Sequence, residues 1–348
     1  MTTTIAQAGS TKPIRVAYLL VPQFPLMSFA AAIEPMRSAN RMSERHLFEW
    51  TLVSVEGTEV AASNGIRIST DCRLDELKAT DLLVVCAGLE PAQFGPGHGV
   101  HHQLRRLSRH GAMIGGISTG AFVLADAGLL ADRRCTVHWE YADWFQSRYP
   151  SIALSRDLYV VDGNVFTCSG GTAALDMMLH FVGVAGGPGI ATAVAEQFIH
   201  PQIRSQHDHQ RLAMHARYRV GSPKLAEVIK LMENAVENPL DIRELAELVG
   251  LSARQVERLF REQLGMSPKV FYLKLRLARA RTLLRQTVDP IVAVAVECGF
   301  ASTSHFSHAY KRVFGIPPTH ERRSATVRNP GRARRKKTAR RYGGGVRG

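Results

Sequence analysis

The chain has 348 residues, of which 45% are hydrophobic and 21% are charged, and its 44 Lys and Arg against 30 Asp and Glu give a formal net charge of +14. This composition excludes a disordered or collagen-like chain, and the length predicts two or three domains. The five cysteines form no CxxC pair, which argues against a disulfide framework or a zinc cluster and favours a reducing, cytoplasmic location.

Residues 1–12 lack the apolar core of a signal peptide, and we expect them to be disordered. No apolar run reaches the ~18–20 residues that a membrane span needs, so no membrane partner is expected. An α/β domain is predicted over residues 13–200. Its apolar runs, such as IRVAYLLV and DLLVVCAG, alternate with helical segments, which is typical of a doubly wound, mostly parallel sheet.

The segment GISTGAF, residues 116–122, joins a predicted strand to a predicted helix through a turn flanked by glycines. In nucleophile-elbow enzymes this arrangement places the central residue, here Ser118, on a strained tip beside backbone N–H donors. His138 follows in TVHWE, and CSGGTAALDMMLH supplies a second glycine-rich helix start. These segments are the candidates for a functional pocket in this domain.

Residues 13–200 resemble the PfpI-type, class I glutamine amidotransferase-like fold, which is flavodoxin-like. In catalytic members the elbow residue is a cysteine, with a His nearby and often a carboxylate from an early loop. Here the elbow residue is Ser118, the His position is kept as His138, and Glu34 lies on the helix after the early loop. A serine with one His and no positioned acid is a poor nucleophile, so no catalytic residue is expected. An amidase- or hydratase-like enzyme is the alternative.

The pocket is expected to bind a small zwitterion. The elbow N–H groups favour a carboxylate, while Trp139 and Trp144 offer aromatic faces, and Glu140 a countercharge, to a quaternary ammonium. Core packing, turn capping and surface ion pairing are the purely structural alternatives for these side chains. No motif predicts a cofactor or a metal site. The candidate pocket residues are Ser118, Thr119, His138, Trp139 and Glu140.

Residues 201–222 are mostly polar and predict a linker. They contain His207, His209 and His215, but no acidic or Cys ligands accompany these at the usual spacing, so no metal site is expected. From about Pro223 apolar residues recur every three or four positions, which predicts amphipathic helices. A second, all-α domain is therefore expected after the linker.

Two similar helical units are predicted in this second domain. In DIRELAELVGLSARQVERLF, Gly250 breaks a helix where a tight turn needs a positive φ angle, and Ser252 suits the N-cap of the next helix. Helix, glycine turn and helix form a helix-turn-helix, whose second helix enters the major groove. The layout recurs about fifty residues later, where Gly299 matches Gly250, and such a repeat is hard to obtain by chance. A linking helix between the copies carries Lys274, Arg276, Arg279, Arg281 and Arg285.

Residues 223–323 resemble the AraC/XylS-type DNA-binding domain, and the run from Ala295 to Pro318 is close to its signature. The resemblance implies double-stranded DNA as partner, with one reading helix per unit. Without an Arg or Lys at His308, the second helix is expected to read more weakly, or through shape and phosphate contacts. The first helix would present Arg254, Glu257 and Arg258, and the second Thr303, Ser304, His305, Ser307 and His308.

Both halves together resemble the GlxA-family transcriptional regulators. Phrases such as FAAAIEPMRSANR and CSGGTAALDMM are similar to the subgroup that responds to arginine, glycine betaine or carnitine. The resemblance implies an activator of a catabolic operon that responds to a small amine or amino-acid effector. RNA polymerase is the expected further partner, and the expected assembly is a homodimer. A ligand-independent DNA-binding protein with a vestigial first domain is the alternative.

The positive charge is concentrated at the C-terminal end. Residues 1–220 hold 19 basic and 19 acidic groups, residues 221–320 hold 14 and 10, and residues 321–348 hold 11 and 1. This gradient predicts a polyanionic partner at the C-terminal end. Residues 324–348 have few apolar side chains, so we expect a disordered basic tail that adds salt-dependent affinity for DNA.

Overall fold

The structure, a computed structural model, describes residues 12–88, 94, 97–210, 217–287 and 289–327. The chain divides into two compact units, Met1–Arg211 and Leu212–Gly348, called here the first and the second domain. The disordered segments expected at 1–12 and 324–348 lie almost entirely outside the described residues. No helix among the described residues is both long and apolar enough to cross a membrane.

The first domain is built around a seven-stranded sheet with the strand order β10-β11-β7-β6-β1-β2-β5. Every neighbouring pair in it is parallel except β10 and β11. The doubly wound, flavodoxin-like class predicted from the sequence is thereby confirmed. Its strands are β1 Ile14–Leu20, β2 Phe48–Ser54, β3 Glu59–Ala61, β4 Arg67–Ser69, β5 Cys72–Arg73, β6 Leu82–Ala87, β7 Met113–Ser118, β8 Arg134–Thr136, β9 Ala153–Ser155, β10 Tyr159–Asp162 and β11 Val165–Cys168.

Helices cover both faces of this sheet, which explains why its strands are continuously apolar. Along β1, Tyr18 and Leu20 enter the core with α1, α5 and α6, while Ala17 and Leu19 enter the core with α2, α3 and α4. A 3-10 turn, Trp139–Tyr141, precedes α4. The helices are α1 Leu26–Met42, α2 Gly99–Arg109, α3 Gly120–Asp126, α4 Ala142–Arg148, α5 Ala173–Gly186 and α6 Pro188–Gln197.

The carboxyl ends of β1, β6, β7 and β11 meet at one edge of the sheet. The strand order reverses between β1 and β6, and ligands of doubly wound sheets bind at the carboxyl edge beside such a reversal. Gly88 follows β6, Ser118 ends β7, and Ser169 follows β11. The fold therefore brings the glycine-rich segments singled out in the sequence to one place.

The second domain holds two small cores on one long helix, α10. Phe271 and Tyr272 in its first half pack with α7, α8 and α9, while Leu277 and Leu284 in its second half pack with α11 and α12. The two helix-turn-helix units predicted from the repeat are therefore present. The helices are α7 Pro223–Asn234, α8 Ile242–Leu248, α9 Ala253–Leu264, α10 Pro268–Gln286, α11 Ile291–Glu297, α12 Thr303–Phe314 and α13 Pro318–Val327.

The segment expected to be a linker, residues 201–222, is bonded at both of its ends. Arg204 pairs with the carboxylate of Asp176 on α5, with 2.6 Å between Nη2 and Oδ2. Gln210 Nε2 donates to Thr136 Oγ1 at 2.9 Å. In the second domain, the backbone N–H of Gly221 donates to the side chain of Gln263. Arg204, Gln210 and Gly221 thus have partners within a domain, and residues 211–216 lie outside the described part.

Candidate ligand pocket and nucleic-acid interface

The elbow is a strand, a strained turn and a helix, as the sequence predicts. Ser118 ends β7 with a φ angle of +60°, and α3 begins at Gly120. The flanking glycines are required by close packing. A Cβ atom at Gly120 would lie 2.4 Å from the carbonyl oxygen of Val85, and one at Gly116 would lie 2.7 Å from the carbonyl carbon of Gly120. The helix therefore begins directly against β6.

Two glycines of the second glycine-rich segment, and a serine that the sequence reasoning did not select, complete the surroundings of the elbow. A Cβ atom at Gly170 would lie 2.9 Å from Cβ of Ser118 and 3.3 Å from Oγ of Ser28. Ser28, buried in the first turn of α1, accepts a hydrogen bond from the backbone N–H of Gly171 at 2.7 Å. The glycine pair in CSGG was the available signal, whereas nothing local marks Ser28.

His138 reaches the elbow through its backbone. Its N–H donates to the carbonyl of Ser118 at 3.4 Å. Its ring nitrogen Nδ1 accepts from the backbone N–H of Glu140 at 3.3 Å and lies 3.9 Å from a carboxylate oxygen of the same residue. The half-buried ring of Trp139 is centred 5.5 Å from the imidazole. Ser118, His138, Trp139 and Glu140 thus form one cluster at the edge of the sheet.

Other candidates serve the fold. Thr119 is completely buried, and its hydroxyl donates to the carbonyl of Gly88 at 2.6 Å, so it fixes the turn after β6. Trp144 packs against Phe122, with 5.0 Å between ring centres. Glu34 pairs with Arg37 on the surface of α1. Among the candidate residues, therefore, Trp139 supplies the aromatic ring near the elbow and Glu140 supplies the carboxylate.

The elbow lacks an activated nucleophile. Burial lowers the pKa of the His138 ring, which leaves it neutral at pH 7, but no hydrogen bond joins that ring to the hydroxyl of Ser118 in the described part of the chain. The nearby thiol of Cys168 accepts a hydrogen bond from Gly170, and burial raises its pKa to about 12, so it stays protonated. Among the described residues, no three His, Cys, Asp or Glu side chains form a metal-binding group.

In the second domain the first reading helix, α9, begins with a capping box. Ser252 accepts from the N–H of Gln255, whose side chain accepts from the N–H of Ser252. Val256 and Phe260 are buried, and the opposite face is exposed. That exposed face carries Arg254, Glu257 and Arg258, the three reading residues expected from the sequence.

The second reading helix, α12, has a similar division between its faces. Phe306 and Tyr310 are buried, while Ser304, His305 and His308 are exposed and Thr303 and Ser307 are partly so. A surface concavity is lined by His305, His308, Ala309, Lys311 and Arg312. The sequence reasoning omitted Lys311 and Arg312 from the reading face, although their place two turns into the same amphipathic helix was the signal.

The basic residues of the linking helix have different surroundings. Lys274 is exposed. Arg281 and Arg285 both pair with the buried carboxylate of Glu321, at 3.1 Å and 2.6 Å. Tyr310 of α12 donates to the same carboxylate. These two arginines therefore join α10 to α13 and hold the second unit together, a use that the charge pattern alone did not reveal.

Comparisons with known proteins agree with this architecture. Residues 16–183 match the DJ-1/PfpI family model, and residues 245–324 match that of a helix-turn-helix domain. The chain is 44% identical over 313 residues to the HTH-type transcriptional regulator CdhR of Pseudomonas aeruginosa, covering 90% of this chain and 93% of CdhR. It is 43% identical over 318 residues to the regulator GbdR of the same species, covering 91% and 86%.

The HTH-type transcriptional regulator GlxA of Rhizobium meliloti is 39% identical over 318 residues, which cover 91% of this chain and 98% of GlxA. These relatives are named as regulators, and they share both domains with this chain over nearly their whole length. The protein is accordingly a DNA-binding transcriptional regulator and not an enzyme. It belongs to the GlxA-like family, in which a DJ-1/PfpI domain precedes an AraC-type helix-turn-helix domain.

Proposed function

We propose that the protein activates transcription of a catabolic operon and that a small amine-containing metabolite, bound beside Ser118, controls this activity. The strained elbow is the observation that carries the proposal. A non-glycine residue with a positive φ angle costs about 1–3 kcal/mol and persists where function requires it. Ser118 has that conformation, but no base among the described residues forms a hydrogen bond with its hydroxyl. A binding role accounts for the strain.

The side chains beside the elbow favour a cationic nitrogen. The neutral ring of His138 does not repel a cation, Trp139 offers an aromatic face, and Glu140 supplies a negative charge. Arginine, glycine betaine and carnitine, which the sequence resemblance implies as effectors, all carry such a nitrogen. We therefore place the amine end of the effector against residues 138–140.

The exposed faces of α9 and α12 are proposed to read operator DNA. Arg254 and Arg258 suit guanine, Glu257 suits cytosine, and the Ser, Thr and His side chains of α12 supply weaker contacts. Lys311 and Arg312 extend the α12 face with positive charge that suits phosphate groups. The protein would act in the cytoplasm as a homodimer on repeated half-sites and recruit RNA polymerase.

Thermal unfolding of the full-length protein against a metabolite panel tests the effector proposal. A ligand at one hundred times its Kd stabilises a protein by about 2.7 kcal/mol, which raises the melting temperature by several degrees. We expect arginine, glycine betaine or carnitine to raise the melting temperature. If arginine does so, citrulline should fail, because its side chain ends in a neutral urea group instead of the guanidinium of arginine. If no amine on the panel raises the melting temperature, ligand-independent DNA binding is the better account. If the wild type hydrolysed an amide and Ser118→Ala did not, the enzyme alternative would be supported instead.

A further inference from the structure

The turn between α11 and α12, residues 298–302, is held by an arginine of the linking helix. Arg276 Nε donates to the carbonyl of Cys298 at 2.8 Å, and its Nη2 donates to that of Gly299 at 2.5 Å. Its guanidinium carbon lies 4.2 Å from the ring centre of Phe300. Carbonyls at the end of a helix lack helical partners, so this side chain both caps α11 and fixes where the turn lies.

The same turn is pressed against the first helix-turn-helix unit. Gly299 has a φ angle of +73°, and a Cβ atom there would lie 2.6 Å from the carbonyl oxygen of Val236 and 2.7 Å from Cγ of Pro239. These two residues belong to the segment that joins α7 to α8. One helical turn before the arginine, Tyr272 donates to the carbonyl of Ala235 at 2.7 Å. The linking helix thus holds both sides of the junction between the units.

The matching glycine of the first unit, Gly250, is not closely packed in this way. Gly250 has nearly the same conformation, with a φ angle of +69°, but a Cβ atom there would meet no atom within 4 Å. A helix-turn-helix turn therefore does not itself require the close packing at Gly299. The contacts of Arg276 with residues 298–300 are called here the clamp. The buried ring of Phe300 lies 5.8 Å from the ring of His305 on the reading face, so a shift of the turn also moves residues of that face.

We infer that Arg276 is a positioning residue that sets the spacing between the two reading helices and, through it, the spacing of the two DNA segments that the protein accepts. The inference rests on the proposed function, in which both α9 and α12 read DNA. Each base pair added between two segments moves the second along the duplex and rotates it around the axis. A rigid pair of helices therefore fits one spacing, whereas a loosened pair accepts several, each with lower affinity.

The test uses the full-length protein and a duplex selected by the wild type from a random-sequence pool, together with versions that are one base pair longer or shorter between the two protected segments. The wild type should bind the altered duplexes at least about tenfold more weakly. Arg276→Lys keeps the charge and the aliphatic stem but cannot donate the two fork bonds. We expect the affinities of this variant for the selected and the altered duplexes to differ by about threefold or less. The dependence of its DNA affinity on salt concentration should be that of the wild type.

One further test variant and two controls make the result decisive. Lys274→Ala removes an exposed charge from the same helix and should keep the spacing discrimination. Gly299→Ala should lose it, because its Cβ pushes the turn away from the first unit. Gly250→Ala carries the same backbone strain in open space and should keep it. Thermal unfolding of each variant, and its binding to the first segment alone, show that the domain is folded.

Two results would overturn the inference. Arg276→Lys and Gly299→Ala with full spacing discrimination would show that the clamp does not position α12. The logarithm of the DNA-binding constant falls linearly with the logarithm of the salt concentration. If the steepness of this line decreased by about 0.9 in Arg276→Ala, this arginine would contact a phosphate instead. A wild type that selects only one segment would refute the proposed reading by α12 itself, an outcome separate from failure of the clamp.

Discussion

Gly170 and Ser118 lie so close together that a Cβ atom at Gly170 would be 2.9 Å from Cβ of Ser118. Ser118 ends β7, Gly170 lies two residues after the neighbouring parallel strand β11, and each has a positive φ angle. Because Gly170 has no side chain, its backbone can pack directly against Ser118 at the carboxyl edge of the sheet. This close approach therefore depends on the absence of a methyl group at position 170.

Gly170→Ala is expected to abolish the response to the effector while DNA binding persists. Its φ angle of +91° is unfavourable for alanine, and the new Cβ must displace Ser118 or Ser28. Gly128→Ala is the matched control, because its φ angle is +73° and no atom lies within 4 Å of its Cβ position. Thermal shift with the active amine and binding to the selected duplex give the two readouts. An unchanged ligand-induced shift in Gly170→Ala would place the effector elsewhere.

Asp176 and Arg204 are expected to make a large contribution to the stability of the first domain. The carboxylate is fully buried and accepts hydrogen bonds from Arg204 Nη2 at 2.6 Å and from its backbone N at 2.8 Å, and His200 Nε2 lies 2.9 Å away. Arg204→Met leaves this buried charge poorly compensated and should lower the free energy of unfolding by about 3 kcal/mol.

The double variant Asp176→Leu with Arg204→Met should recover much of that loss, because no charge then remains buried. Urea unfolding followed by tryptophan fluorescence measures both. All three tryptophans, Trp50, Trp139 and Trp144, belong to the first domain, so the signal reports that domain alone. A double variant no more stable than Arg204→Met would show that packing, rather than an unpaired charge, explains the loss.

The stability of the first domain should fall as the pH drops below neutral, with His101 as one cause. Its side chain is 1% exposed, neither ring nitrogen has a hydrogen-bond partner within the described part of the chain, and burial lowers its pKa. The unfolded chain therefore takes up the proton at higher pH than the folded chain. The stability that depends on neutral His101 is fully present above the pKa of this residue in the unfolded chain, about 6.5. It is lost as the pH falls towards the lower pKa of His101 in the folded chain.

His101→Leu should flatten this pH dependence, since the residue then binds no proton in either state. His102→Leu, on the exposed side of the same helix, is the control and should leave the dependence as in the wild type. Urea midpoints at pH 7.5 and pH 5.5, read by tryptophan fluorescence, make the comparison. Equal slopes in the wild type and His101→Leu would assign the effect to other groups, such as His138 and His180, whose pKa values burial also lowers.

The sequence predicts those features whose cause is local. The nearly continuous burial of β1, the strained Ser118 between glycines, and the turns at Gly250 and Gly299 all follow from nearby residues. The hairpin of β10 and β11 was missed because its strands have only four residues each, although the Asp-Gly-Asn turn between them was visible.

Contacts between distant segments could not be predicted in the same way. Ser28 reaches Gly171 only because α1 and α5 pack on the same face of the sheet. Arg204 belongs to a polar stretch that suggests a linker, and its burial partner Asp176 is hidden within an apolar helix. Charge counting placed Arg281 with the other basic residues, whereas its guanidinium pairs inside the second domain. In each case the partner is fixed by the tertiary fold rather than by spacing.

Arg258→Ala is expected to weaken binding to the selected duplex by about 1–3 kcal/mol and to leave binding to random DNA nearly unchanged. The side chain is exposed on α9, and its Nε lies 3.8 Å from the carboxylate of Glu262, a loose pairing that a guanine can replace. Arg258→Lys distinguishes paired hydrogen bonding to guanine from the effect of positive charge. Lysine keeps the charge but cannot donate two hydrogen bonds to one guanine. The Arg258→Lys variant should lose most of the extra affinity for the selected duplex over random DNA. Its DNA affinity should depend on salt concentration as in the wild type. Equal losses on both DNAs in Arg258→Ala, restored by lysine, would instead identify Arg258 as a phosphate contact.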